Sequence, residues 1–271
     1  MSIIETDWLE KNLNKVKIID CSWHMPQTQR NGYEEYKSLH IPNAIFFDLD
    51  KNSRKDTTLP HMLVDQMSWD KIVSNMGIQK DEKIVIYDNS DVVSSCRGWF
   101  NFIYYGHDPK LISVLNGGLK KWLNEKRKVT DISPKIDRSD YKSFERKELV
   151  KNKVAIDQNL DDKIFSLIDA RSRERFKGRI PEPRKGLRSG CIKNSFCIPF
   201  NNCLNNDKTF KNKDELKKIF KTSLKNLEQI NIVFSCGSGV TACVLALAYS
   251  LINDKYLPCI YDGSWAEYGL I

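Results

Sequence analysis

The 271-residue sequence has no uninterrupted apolar run of the roughly 18–20 residues that a membrane-spanning helix requires. Its start, MSIIETDWLEKNLNK, lacks the charged-then-apolar pattern of a secretory signal, and its acidic residues argue against a transit peptide. None of its eight cysteines forms a C-x-x-C pair, so the common zinc spacings and the dithiol redox motif are absent. We therefore expect a cytoplasmic protein with no membrane partner, no metal, no cofactor and no disulfide framework.

The chain carries 43 Lys and Arg residues against 35 Asp and Glu residues, a net charge of +8. The basic residues are spread along the chain, and no nucleic-acid-binding motif accompanies them. We therefore expect no nucleic-acid partner, and interpret the excess charge as a solvated surface that also attracts small anions. The 41% hydrophobic content is enough to bury a sizeable core.

The chain repeats itself at an offset of about 150 residues. KIIDCS (17–22) corresponds to FSLIDARS (165–172), where each apolar run ends on an aspartate. KIVIYDNS (83–90) corresponds to NIVFSCGS (231–238). Further matches follow in the same order, so we infer a tandem duplication of one domain.

Each half alternates short, β-branched apolar runs with longer helical patterns. Such runs are typical of strands buried on both faces, and the alternation predicts an α/β fold with a parallel sheet flanked by helices on both faces. We expect an N-terminal domain over 1–128, a linker over 129–148 and a C-terminal domain over 149–271. The segment SWDKIVSNMGI (68–78) predicts a helix with Ser68 as its N-cap.

Cys236 stands where an apolar run gives way to a glycine-rich turn, in FSCGSGVTAC. Ligands of doubly wound sheets bind beyond the carboxyl ends of the strands. A tight loop that leads into a helix near Thr241 would point its N–H groups inward and favour an anionic sulfur. An inert buried cysteine is the alternative for this loop alone. The corresponding residue of the first half is Asp88, so we predict one catalytic and one degenerate domain.

Several motifs together resemble the tandem rhodanese superfamily and, within it, the 3-mercaptopyruvate sulfurtransferase branch. The resemblance covers nearly the whole chain and implies two rhodanese-like domains. The motifs are HIPNAIFFDLD (40–50), DTTLPHMLV (56–64), NGGLKKW (116–122), RERFKGRIPEPRKG (173–186), CGSGVTA (236–242) and YDGSWAEYG (261–269).

The resemblance implies that Cys236 takes the sulfur of 3-mercaptopyruvate as a persulfide, releases pyruvate and passes the sulfur to a thiol or cyanide. The acceptor would be thioredoxin or a small thiol. Arg175 and Arg184 would bind the anionic sulfur donor. Further site residues follow from the match: the loop N–H groups would hold the persulfide, and a hydroxyl, an imidazole and a carboxylate would relay a proton. These residues are Gly237, Gly239, Val240 and Thr241 for the loop, and Ser238, His61 and Asp50 for the relay.

Two alternatives remain open on the sequence. A thiosulfate sulfurtransferase of the same fold typically carries basic residues after the cysteine, whereas Gly237 and Ser238 are neutral. A non-enzymatic persulfide carrier would have no need of the two arginines. A phosphatase is excluded because its loop requires an arginine where this chain has Ala242.

The sequence departs from the family pattern at one turn and at its end. Cys191 and Lys193 replace the usual His and Pro of the second GHIPG-type turn, so we expect altered loop packing there. The sequence ends at Ile271, where many relatives continue, so we expect the C-terminal packing to differ.

Overall fold

Each half of the chain folds into a five-stranded, fully parallel sheet. The structure is a computed structural model and describes residues 2–271. The strands of the first sheet are β1 (Ile3–Ile4), β2 (Lys17–Asp20), β3 (Ala44–Phe46), β4 (Ile84–Tyr87) and β5 (Ile112–Leu115). Those of the second sheet are β6 (Val150–Lys151), β7 (Ser166–Asp169), β8 (Phe196–Cys197), β9 (Ile232–Ser235) and β10 (Ile260–Tyr261).

The two sheets have the same topology. Their strand orders are β1-β5-β4-β2-β3 and β6-β10-β9-β7-β8, so each strand of the first half has its counterpart at the same place in the second. The central strands β4 and β9 are buried along their whole length, as their unbroken apolar sequences predict. The duplication and the parallel α/β fold predicted from the sequence are confirmed.

Helices flank both sheets and connect successive strands. The first half contributes α1 (Thr6–Glu10), α2 (Gly32–Ser38), α3 (Gln66–Asn75), α4 (Ser95–Tyr104) and α5 (Gly118–Asn124). The second half contributes α6 (Lys153–Asp162), α7 (Arg173–Phe176), α8 (Lys213–Lys221), α9 (Val240–Ser250) and α10 (Ser264–Tyr268).

The chain forms two compact units that do not follow the sequence order completely. The first unit comprises residues 2–54, 63–146 and 206–209, and the second comprises 55–62, 147–205 and 210–271. A short segment of each half is therefore part of the unit formed by the other half. Both segments join their unit through contacts remote in sequence, and the boundaries at 128 and 149 stay a prediction.

Helix α9 fixes the position of the loop that precedes it. Its sequence, VTACVLALAYS, is apolar on nearly every side, and Val240 and the residues from Ala242 to Tyr249 are buried. A helix of this kind lies inside the fold and not at its surface. The loop at its N-terminus is consequently held between two buried elements, β9 and α9.

Helix α3 begins earlier than its sequence pattern suggested. We predicted Ser68 as the N-cap, but the helix starts at Gln66, and the carboxylate of Asp65 accepts the N–H of Ser68 at 2.9 Å. An aspartate is at least as good a cap as a serine, so the first available cap determined the start. The helix ends at Asn75, shortly before Gly77, whose φ of +63° closes the turn.

Two equivalent aspartates end β2 and β7, and their surroundings differ in charge. Asp169 is paired with Arg171, whose Nη2 lies 2.7 Å from Oδ2. Asp20 accepts the N–H of Ser22 at 2.9 Å, and burial raises its pKa from 3.8 to about 7. Since the pKa in the folded state exceeds that of the unfolded chain, ionisation of Asp20 destabilises the fold increasingly as the pH rises from about 4 to 7.

We predict that Asp20→Asn stabilises the protein more at pH 8 than at pH 5. Asparagine keeps an oxygen for the Ser22 N–H and cannot ionise. The free energy of unfolding of the variant should therefore exceed that of the wild type by an amount that grows by about 2–3 kcal/mol from pH 5 to pH 8. Urea denaturation of both proteins at each pH measures this. The control Asp169→Asn breaks an ion pair and should be destabilising at both pH values. A pH-independent effect of Asp20→Asn would contradict the prediction.

Candidate active site

Cys236 directly follows β9 and lies in the turn that leads into α9. Its carbonyl oxygen accepts the N–H of Trp265 at 3.0 Å, and that of Gly237 accepts the N–H of Ala266 at 2.9 Å. Both donors belong to α10, so the loop is tied to a neighbouring helix by its backbone. Cys236 is 2% exposed. The thiol is therefore held in a buried, fixed place at the carboxyl edge of the sheet.

The hydroxyl group of Ser264 bonds to both ends of this loop, and sequence reasoning missed this residue. Its Oγ accepts the N–H of Cys236 and the N–H of Gly239, both at 3.1 Å, and donates to the carbonyl oxygen of Tyr261 at 2.8 Å. Ser264 is fully buried and has a φ of +49°, a conformation unusual for a residue other than glycine. The equivalent residue of the first half is Gly118, with a φ of +54°, so the repeat signals the backbone conformation of this position but not the role of the hydroxyl.

The equivalent loop of the first half directs its N–H groups at a carboxyl group in the same position. The carboxylate of Asp88 accepts the N–H of Ser90 at 2.7 Å and the N–H of Ser95 at 3.0 Å. The Asp88 carbonyl oxygen accepts the N–H of Leu119 at 2.9 Å, as that of Cys236 does from Trp265. Backbone N–H groups of this loop thus converge on the side chain that follows the strand.

The loop of the second half presents N–H groups in a similar way. Gly239 adopts a φ of +75° immediately before α9, a turn that glycine makes without steric cost. Val240 and Thr241 belong to the first turn of α9, where N–H groups have no acceptor within the helix. Because the N–H of Gly239 donates to Ser264, the groups of Gly237, Ser238, Val240 and Thr241 are the candidates for holding an anion at Cys236.

Ser238, two residues after the cysteine, contacts two of the predicted site residues. His61 Nδ1 lies 3.0 Å from Ser238 Oγ, and Arg184 Nη2 donates to the same oxygen at 3.3 Å. His61 belongs to the segment 55–62 of the second unit, is 4% exposed and has a φ of +62°. Since Arg184 donates to Oγ, the hydroxyl hydrogen can point to Nδ1, which links the hydroxyl to an imidazole able to carry a proton.

Asp50, the third member of the predicted relay, lies in the first unit. Its Oδ2 accepts a hydrogen bond from Trp23 Nε1 at 2.9 Å. Its expected partnership with His61 stays a prediction.

The two predicted arginines lie together against the loop. A methyl group placed on Gly237 would lie 3.2 Å from Arg175 Nη2 and 3.5 Å from Arg184 Nη1. Both guanidinium groups therefore lie next to the residue that follows Cys236. The contact with Arg184 is an ordinary van der Waals distance, whereas the guanidinium group of Arg175 would have to shift slightly, so Gly237 leaves room for Arg175 in addition to offering the predicted N–H group.

A buried ion network holds one of these arginines, and sequence reasoning missed its centre. Glu182 accepts hydrogen bonds from Arg175 Nη2 at 2.6 Å and from Arg171 Nη1 at 2.8 Å. Arg171 in turn donates to both carboxylate oxygens of Asp169, and its guanidinium lies 4.3 Å from the ring centre of Trp265. The one sequence feature that could have indicated this role is the position of Glu182, within the PEP sequence between the two arginines.

The cysteines outside the loop lie in other surroundings. Cys191 is half-buried, and burial raises its pKa. Burial likewise raises the pKa of Cys197 to about 11 and that of Cys203 to about 12.

Within residues 2–271, no group of three or more His, Cys, Asp or Glu side chains has a geometry that could hold a metal ion.

Comparison with known proteins identifies the family. The model of the rhodanese-like domain matches residues 5–125 and again residues 152–270. The mitochondrial thiosulfate/3-mercaptopyruvate sulfurtransferase 1 of Arabidopsis thaliana is 38% identical over 98% of this chain and 75% of its own length. The 3-mercaptopyruvate sulfurtransferase of Mus musculus is 33% identical over 98% of this chain and 91% of its own length.

A solved structure agrees with these relatives. The crystal structure of SseA from Escherichia coli, described as a 3-mercaptopyruvate sulfotransferase with the rhodanese fold, superimposes with a TM-score of 0.87 and 28% identity. The match covers 98% of this chain and 99% of that one. The chain belongs to the family of proteins with rhodanese-like domains and carries two such domains. The resemblance stated from the sequence is confirmed.

We predict that Ser264→Ala destabilises the protein and slows sulfur loading of Cys236. The change removes the acceptor of two buried N–H groups, which should cost about 1–3 kcal/mol and loosen the loop. Urea denaturation and mass spectrometry of donor-treated protein measure the two effects. Ser250→Ala is the control, because Ser250 Oγ only donates to the Leu247 carbonyl oxygen at the other end of α9. Equal behaviour of the two variants would contradict the prediction.

Proposed function

We propose that this protein is a sulfurtransferase that moves the sulfur of 3-mercaptopyruvate to a thiol acceptor through a persulfide on Cys236. The relatives named above are sulfurtransferases, which confirms the enzyme class predicted from the sequence. The observation that carries the proposal is that Arg175 and Arg184 lie against Gly237 and that Arg184 bonds to Ser238, because the residues that follow Cys236 are then next to groups for an anionic donor.

The first half of the reaction loads the cysteine. The Cys236 thiolate attacks the donor sulfur; the S–S bond forms as the C–S bond breaks, and the electron pair of that bond remains on carbon as the enolate of pyruvate. The enolate takes up one proton and leaves as pyruvate. The protein keeps the transferred sulfur as a persulfide, so the step needs no external oxidant or reductant.

The named side chains have distinct tasks in this step. Arg175 and Arg184 bind the carboxylate and keto oxygen of the donor, for which the guanidinium fork is suited. The N–H groups of Gly237, Ser238, Val240 and Thr241 stabilise the anionic persulfide. The Ser238 hydroxyl and His61 pass the proton. The contact of 3.0 Å between His61 and Ser238 supports this relay.

The second half of the reaction unloads the cysteine. A thiolate acceptor attacks the outer sulfur, a new S–S bond forms on the acceptor, and the electron pair of the broken bond returns to Cys236 as thiolate. Thioredoxin and small thiols are the acceptors we propose. Cyanide accepts the sulfur in the same way and leaves as thiocyanate.

Thiosulfate is the alternative donor, and the name of the Arabidopsis relative contains both donors. We favour mercaptopyruvate because the residues after Cys236 are neutral and crowded by cations. A longer side chain at Gly237 would meet both guanidinium groups, so a basic residue there would displace them and repel them. The arginines also argue against a non-enzymatic carrier, which has no small donor to bind.

We propose that the first domain is catalytically degenerate, because Asp88 places a carboxylate where the second domain has its thiol.

The cytoplasmic location expected from the sequence stays a prediction, since one relative is named as mitochondrial. Within residues 2–271, none of the helices combines the length and the apolar character needed to cross a bilayer.

We predict that Cys236→Ser abolishes pyruvate release from mercaptopyruvate, because a hydroxyl cannot form a persulfide. Cys191→Ser should retain the activity and serves as the control for loss of a thiol. Steady-state assays with mercaptopyruvate and with thiosulfate, each with a thiol acceptor, measure this. If the wild-type protein turns over neither donor, the proposed sulfurtransferase activity is contradicted. If it prefers thiosulfate, the proposed donor is contradicted.

A further inference from the structure

Glu182 is a buried carboxylate with both oxygens engaged by arginines. Its side chain is 1% exposed. Oε1 accepts from Arg171 Nη1 at 2.8 Å and from Arg175 Nε at 3.2 Å, and Oε2 accepts from Arg175 Nη2 at 2.6 Å. Arg175 is therefore held along the edge formed by Nε and Nη2, a two-bond geometry that fixes the plane of its guanidinium group.

The other partner of Glu182 is itself immobile. The Arg171 side chain is fully buried, donates to both oxygens of Asp169 and to the carbonyl oxygen of Gly190, and lies over the ring of Trp265. Trp265 donates its backbone N–H to Cys236. Glu182 thus connects Arg175 to a rigid anchor that is also bonded to the catalytic loop.

The network is balanced in charge. It contains two carboxylates, Asp169 and Glu182, and two guanidinium groups, Arg171 and Arg175. Arg175 faces Gly237 at one end, and its side chain is 19% exposed. The charge of this network therefore acts next to the place where we propose that the donor binds. Removal of one buried carboxylate would leave one positive charge uncompensated there, in surroundings where screening by water is weak.

We infer that Glu182 is a positioning residue that also sets donor selectivity: it aims Arg175 at the loop and cancels one positive charge, which favours a donor with one negative charge over a dianion. Mercaptopyruvate carries one carboxylate, whereas thiosulfate carries two negative charges. The inference rests on the proposed function and adds a residue that acts on the donor through Arg175. It assigns no contact between Glu182 and the substrate.

Two variants separate charge from position. Glu182→Gln keeps the size and removes the charge, so the ratio of kcat/KM for thiosulfate to that for mercaptopyruvate should rise roughly tenfold, and less at high salt. Glu182→Asp keeps the charge and withdraws the carboxylate, so KM should rise severalfold for both donors with an unchanged ratio. Transfer from preloaded Cys236 persulfide to the acceptor should keep its wild-type rate in both variants.

Glu174→Gln is the matched control, because Glu174 lies on the same helix, α7, and makes only an exposed contact with Arg179 at 3.4 Å. It should leave the ratio and both KM values unchanged. An unchanged or lowered ratio in Glu182→Gln overturns the inference. If that variant fails to fold, wild-type KM values in Glu182→Asp overturn it. Wild-type protein inactive with both donors refutes the proposed function instead, so the two failures are distinguishable.

Discussion

The shape of the loop between β9 and α9 is the constraint on which the proposed site depends, because its N–H groups can stabilise an anion on Cys236 only while that shape is kept. A short glycine-containing loop does not keep one shape unaided, since glycine has wide conformational freedom. Here the surroundings supply the rigidity. Ser264 joins the two ends of the loop through its hydroxyl, and α10 bonds to the loop carbonyl groups. The left-handed conformation of Ser264 is the local cost of placing that hydroxyl.

The duplication gave this fold two such loops with different contents. In the first unit the loop surrounds the carboxyl group of Asp88, a side chain that the chain itself provides and whose pKa is raised by burial. In the second unit the corresponding position is a thiol, so an anionic sulfur can form and be exchanged. The comparison explains why a single residue type at the end of a strand decides between a closed structural site and a site for chemistry.

The fold was predictable from the sequence because its signals are local and occur twice. Unbroken apolar runs marked β4 and β9, and the repeat fixed their equivalence. The candidate nucleophile was predictable for the same reason, since the end of a buried strand and a glycine turn are adjacent in sequence. The start of α3 was not, because two good caps, Asp65 and Ser68, compete and sequence reasoning favoured the second.

What remained hidden depends on contacts between residues that are distant in sequence. Ser264 reaches the loop from another helix, and its motif contains no feature that marks a hydroxyl as an acceptor for buried N–H groups. Glu182 looked like one charge among many in an exposed segment, and only the fold brings it to Arg171. The segment 55–62, which carries His61, joins the second unit although it belongs to the first half of the sequence.

The most direct test is a single turnover without acceptor. Protein mixed with no more than one molecule of mercaptopyruvate per chain should convert all of it to pyruvate, and peptide mass spectrometry should locate one added sulfur atom on Cys236. Pyruvate release without retained sulfur, or sulfur retained on a different cysteine, would contradict the account.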